Sequence, residues 1–75
     1  MNFSERLNAA MKKRGLDSVM LSGRLRERGL RIDPRTIQAW VDSDQRPSTV
    51  EAYDMLCASL SVSADWLISG KGKLQ

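Results

Sequence analysis

Histidine is missing altogether, and Cys57 is the single cysteine. Without an imidazole there is no histidine acid–base pair and no mixed Cys/His zinc set. A lone thiol also leaves no disulfide framework. No apolar run approaches the roughly 20 residues that a membrane-spanning helix needs. The opening Met1-Asn2-Phe3-Ser4-Glu5-Arg6 is polar from the start, unlike a secretory leader. Asp54 and Asp65 stand apart from any base or nucleophile, so no enzyme, cofactor or metal is expected. These absences fit a protein of the reducing cytoplasm.

What is present is ordinary in amount and unusual in placement. Of the 75 residues, 41% are hydrophobic and 28% charged, which suits one small globular domain. The net charge of +3 conceals an asymmetry. Residues 1–35 carry nine cations against four anions, whereas residues 36–70 carry only Arg46 against five anions. Such a division suits a surface that meets a polyanion and another that meets solvent or protein. Clustered charge that is merely solvated gives the same count.

Five helical segments can be read, and no strand. Phe3, Leu7, Ala10 and Met11 keep a 3.6-residue period over a first helix of about Ser4 to Arg14, which Gly15 stops. Asp17 caps a second helix, with Met20, Leu21 and Leu25 expected on its inner side and Gly29 just past its end. Leu30-Arg31-Ile32 reads as a turn. Asp33-Pro34 is a sharp start signal for a third helix of about Pro34 to Asp42, whose inner residues are Ile37, Trp40 and Val41. A polar loop over 42–47 leads to Ser48-Thr49-Val50-Glu51, read as a capping box with Ser48 at the N-cap. In the fourth helix Tyr53, Leu56, Cys57 and Leu60 keep the same apolar period, with Tyr53 and Met55 expected to be partly exposed. Ser63 caps a short fifth helix, Ala64 to Ser69, which Gly70 ends. Residues 71–75 read as a flexible tail or the start of a linker.

Three stretches carry a family resemblance. Leu16-Asp17-Ser18-Val19-Met20-Leu21-Ser22 opens the second helix. Thr36-Ile37-Gln38-Ala39-Trp40 is followed seven residues later by Pro47-Ser48, and Ser61-Val62-Ser63-Ala64-Asp65-Trp66-Leu67-Ile68-Ser69-Gly70 closes the chain. Together they resemble the lambda-repressor-like helix-turn-helix family, specifically the Xre/Cro type and phage or prophage repressor N-terminal domains. The resemblance covers roughly residues 3–72. It implies an all-α, compact five-helix DNA-binding domain over residues 1–70, with a helix-turn-helix formed by helices two and three. Two departures stand out. Six residues separate Leu25 from Ile32 where the family typically has one, which reads as an extra helical turn plus a longer connection. Ser43 stands where the family often has glycine, and Asp42 and Asp44 make the following loop acidic.

A helix fits the DNA major groove, where each base pair shows a distinct donor–acceptor pattern. With Ile37 and Trp40 facing inward, Arg35 and Gln38 project outward, flanked by Thr36 and Ala39. Arginine pairs bidentately with guanine and glutamine with adenine, and Ala39 suits a thymine methyl. A solvated helix face is the plain alternative. Ser18 sits where the family often has a glutamine that holds a phosphate and braces the recognition helix; simple capping is the other reading. Arg24, Arg31, Ser43 and Arg46 are candidate phosphate contacts beside Ser18, with plain solvation the alternative for about half of the arginines. Trp40 and Trp66, at helical spacing among apolar residues, belong to the core.

The expected function is therefore a sequence-specific transcriptional regulator, a phage-type repressor binding a palindromic operator on double-stranded DNA as a homodimer. The alternative is a protein-interaction adaptor or antitoxin of the same fold, whose acidic half meets a protein. No membrane partner and no small-molecule ligand is evident in the sequence.

Overall fold

The computed structural model describes residues 1–72. Among them the chain forms helices α1 (Phe3–Arg14), α2 (Ser18–Glu27), α3 (Pro34–Asp42), α4 (Val50–Leu60) and α5 (Asp65–Ser69), with no strand. The all-α expectation holds. None of these helices is long and apolar enough to cross a membrane. Lys71 and Gly72 are exposed, and the rest of the expected tail lies outside the described residues.

Every helix begins at a side chain that accepts one of its free first-turn N–H groups. Asn2 and Glu5 form a reciprocal capping box on α1, at 2.8 and 3.1 Å. Asp17 accepts from Met20 N at 2.8 Å, and Asp33 from Arg35 N at 2.8 Å, with Pro34 at N1 as the sequence predicts. Ser63 accepts from Trp66 N at 3.1 Å. The α4 cap differs from expectation. Thr49, not Ser48, accepts from Ala52 N, at 3.1 Å. Two adjacent hydroxyls compete for the position, and with Thr49 there Glu51 falls at N2, one place too early to close a box.

The core is built from Phe3, Leu7, Ala10 and Met11 of α1, joined by Leu21, Leu25, Ile37, Trp40, Leu56, Cys57, Leu60, Trp66 and Leu67. One expectation for α2 fails: Met20 is 49% exposed. It lies five residues from Leu25, about 140° around the helix, so it cannot share that face. Ser22 takes the inward place and satisfies its hydroxyl by donating to Ile32 O at 2.6 Å. Val41, Tyr53 and Met55 are half-buried against the core.

Helices α1 and α2 end alike. Leu16 N donates to Met11 O and Leu30 N to Leu25 O, each across a left-handed glycine, Gly15 or Gly29. Both are six-to-one closures of the Schellman type. The six residues between Leu25 and Ile32 thus divide as the sequence suggests: α2 continues to Glu27, then turns back at Gly29 and packs Leu30 and Ile32 on the core. Helix α4 closes the same way, Val62 N donating to Cys57 O, but there the left-handed residue is Ser61, at φ 55°.

Two arginines of α1 complete the other ends. Arg14 donates from Nε to Leu60 O at 2.8 Å and from Nη2 to Ser61 O at 3.1 Å. Arg6, only 6% exposed, donates to Leu67 O at 2.9 Å, to Ile68 O at 3.0 Å and to Met1 O. The α5 turn is π-type, wider than an α-helix, and its last carbonyls lack helical partners. The guanidinium replaces them. Gly70 keeps the space open, since a Cβ there would stand 3.1 Å from Arg6 Nη1.

Two stability measurements check these points. Arg6→Met should cost about 2–4 kcal/mol in urea unfolding, because it removes charge-assisted bonds and leaves buried carbonyls unpaired; a loss near zero contradicts the clamp. Ser61→Gly should stabilise by about 1 kcal/mol, since only glycine adopts the left-handed cap without penalty. Ser61→Val should do the opposite.

Candidate nucleic-acid interface

Helix α3 presents one row to solvent. Burial of Ile37 and Trp40 against α1 and α2 turns Arg35, Gln38 and Asp42 to the opposite side, at positions i, i+3 and i+7. All three are exposed, as is Thr36, while Ala39 is half-buried on the flank.

Two of the predicted base readers, Arg35 and Gln38, each have a carboxylate beside them. The Arg35 side chain, 93% exposed, approaches Asp33 with its Nε at 3.4 Å. The Arg35 backbone N–H, and after it the guanidinium, hold the Asp33 carboxyl below the usual carboxylate range. Gln38 is held at both ends of its amide. Ser18 Oγ donates to Gln38 Oε1 at 2.6 Å, and Gln38 Nε2 donates to Asp42 Oδ2 at 2.8 Å. The amide keeps a second N–H and a second lone pair free, and their orientation is now fixed.

The Ser18 hydroxyl thus reaches from the first turn of α2 onto α3, in line with the brace that the resemblance implies at this position; the cap of α2 is Asp17, not Ser18. Asp42, expected at the end of α3 and counted with the acidic loop, has a site role that was not assigned from the sequence. Its signal was available: a Gln and an Asp four residues apart face each other on a helix. Exposed Val19 and Met20 follow Ser18 and leave apolar surface beside this brace.

The remaining candidates spread over several elements. Arg31 is exposed in the connection before α3. Ser43 ends α3 by donating its N–H to Ala39 O at 2.9 Å, and the left-handed position falls on Asp44, at φ 52°. Asp44 also accepts from Ser4 Oγ at 3.3 Å, whose shorter bond goes to Trp40 O. This ties the loop after α3 to α1. Arg46 lies over the Phe3 ring, 5.6 Å from its centroid, at the rim of a groove of about 460 Å³ that Thr36 and Trp40 also line. Arg24 stands apart, on the side of α2 that meets α4.

Of the nine cations in the basic half, Arg6 and Arg14 are engaged with backbone carbonyls. Lys12, Lys13, Arg24, Arg26, Arg28, Arg31 and Arg35 are exposed. No group of three or more acidic or thiol side chains that could hold a metal occurs among the described residues. Burial, and secondarily Asp54, pushes the Cys57 thiol up from its ordinary value, which keeps it protonated and poorly nucleophilic. Compared with protein-family models, curated proteins and solved structures, the chain has no significant match.

The Asp33 cap makes α3 sensitive to acid. Its carboxyl is lowered in the folded state, so its stabilisation is present above the unfolded pKa and disappears as pH falls through the folded value. Thermal melts should show a loss of stability below about pH 4 that Asp33→Asn abolishes, since Asn caps without a titrating group. An unchanged acid limb in the Asn variant contradicts this role.

Proposed function

We propose that this protein is a sequence-specific regulator of transcription that reads double-stranded DNA through α3, as a phage-type repressor acting on a two-fold-symmetric operator. The observation that carries the reading is the outward row Arg35–Gln38 on a helix fixed by Ile37 and Trp40, with Gln38 braced from α2 by Ser18. A helix in the major groove must present donors at a set angle, and a braced glutamine loses little freedom on pairing with adenine. Arg35 leaves Asp33 for guanine, a charge-assisted exchange in which the long 3.4 Å contact is the weaker bond. Arg31 and Arg46 are the phosphate contacts of this reading, on the connections before and after α3.

The acidic surface supports a rival, in which the same fold binds a basic protein partner. Asp42, Asp44, Glu51, Asp54 and Asp65 are all exposed. One experiment separates the two readings. Selection from random duplexes should enrich a site with half-sites about 10 base pairs apart, centre to centre, or a multiple of that. On that site Arg35→Ala should cost about 1–3 kcal/mol and relax preference at one base pair. Arg46→Ala should weaken all duplexes alike and flatten the salt dependence by roughly one ion. No enriched sequence, or an Arg35→Ala protein that binds unchanged, favours the adaptor.

A further inference from the structure

The side of α2 that meets α4 carries a cleft of about 270 Å³, lined by Arg24, Glu27, Arg28 and Ser59. Arg24 lies in the last turn of α2 and Arg28 is its C-cap, four residues on, and both line the same opening. Neither side chain has a hydrogen bond or ion pair among the described residues, and Glu27 pairs with neither. Ser59 comes from α4 and is 7% exposed. Its Oγ is the one shielded side-chain polar atom among the described residues without a hydrogen-bond partner. Buried hydroxyls are ordinarily satisfied, and a serine within a helix commonly returns its hydroxyl to the preceding turn. Here the hydroxyl lies unpaired against a cleft with two unpaired arginines.

We propose that this cleft binds a small phosphate-type oxyanion, either inorganic phosphate or the head of a phosphomonoester. Arg24 and Arg28 would grip its oxygens and Ser59 would donate from below. The chemistry of the lining sets the class. The fork of each guanidinium matches the geometry of phosphate oxygens, and a hydroxyl adds a neutral donor. The lining has no apolar wall for a base or an aromatic ring, and the volume lies under the roughly 300–1,000 Å³ of drug-sized ligand sites. Glu27 opposes the anion and keeps the affinity modest. The site is also separate from the α3 row. At 3.6 residues per turn, Ser18 and Ser22 occupy the flank of α2 that bonds to α3 and its preceding turn, whereas Arg24 and Arg28 lie on average about 120° around from them, toward α4. The proposal therefore stands independently of DNA binding.

The test is a titration of the ¹⁵N-labelled full chain with inorganic phosphate at constant ionic strength, followed by the amide and arginine Nε–H resonances. Saturable shifts centred on Arg24, Arg28 and Ser59 are expected. Arg24→Gln and Arg28→Gln should each weaken binding about tenfold, the loss expected for one charge-assisted bond. Glu27→Gln should tighten it. Ser59→Ala should weaken it while leaving the melting temperature in phosphate-free buffer unchanged or higher, because the hydroxyl has no partner to lose. Repeating the titration with glycerol phosphate tells the two sources apart: tighter binding of the ester assigns the cleft to a phosphomonoester, tighter binding of the free ion to inorganic phosphate. Unsaturable shifts spread over all cationic residues, or unchanged affinity in both arginine variants, overturn the proposal. So does displacement of phosphate from the cleft by a short duplex, which would make it part of a DNA contact.

Discussion

The angle of α3 is the constraint on which the rest depends, and two side chains set it. Ile37 and Trp40 are buried between α1 and α2, and nothing else in this nine-residue helix is fully inside. A helix of that length is not stable alone in water, so its existence and its orientation come from the same packing. Polar bonds then remove the remaining freedom. Ser4 donates to Trp40 O from α1, Ser22 to Ile32 O just ahead of α3, and Ser18 to Gln38 on its outer face. Three short hydroxyl side chains thus hold the helix at its end, at its entry and across its exposed row. Each is a directional contact placed where burial alone would leave rotation about the helix axis poorly fixed.

Charge in this protein divides by depth rather than by segment. A count along the chain treats all nine N-terminal cations alike, yet Arg6 and Arg14 serve the backbone. They satisfy carbonyls at the ends of α5 and α4, where the helix dipole also favours positive charge. The exposed N-terminal cations lie in the last turn of α1, along the end of α2 and around α3. The acidic residues of α3 and its start are similarly specific. Asp33 caps the helix and contacts Arg35, while Asp42 fixes the Gln38 amide. Under the proposed DNA reading, these carboxylates would hold Arg35 and Gln38 in one orientation until a base replaces them.

Much of the fold was legible because its signals are local. Asp17, Asp33-Pro34 and Ser63 announce helix starts with side chains that reach only two or three residues ahead. Gly15 and Gly29 mark ends through their own backbone freedom. Misreadings occurred where neighbours compete. Ser48 and Thr49 both suit an N-cap, and their order was decided by which hydroxyl meets Ala52 N. Met20 looked apolar enough for the core, but the period of α2 gave the place to Ser22, whose hydroxyl is tolerated only because Ile32 O lies opposite. For the site, the exposure of Arg35 and Gln38 followed from the period of Ile37 and Trp40. A brace at Ser18 was implied by the family resemblance, but its partner Gln38 did not follow from any period, since the two residues are 20 apart in the chain.

The sequence by itself determined the number of helices, most of their limits, the two tryptophans as core, and the side of α3 that faces outward. These follow from capping, from glycine and from a 3.6-residue period, all of which act within a turn or two. Tertiary structure alone decided what the polar residues do. It placed Arg6 inside against α5, set Ser61 in a left-handed cap, joined Ser18 to Gln38, and brought an unpaired Ser59 hydroxyl beside Arg24 and Arg28. The reason is physical: apolar residues need only be away from water, which periodicity encodes, whereas a hydrogen bond or a buried charge needs a particular partner at a particular distance. That partner is chosen only when the helices meet.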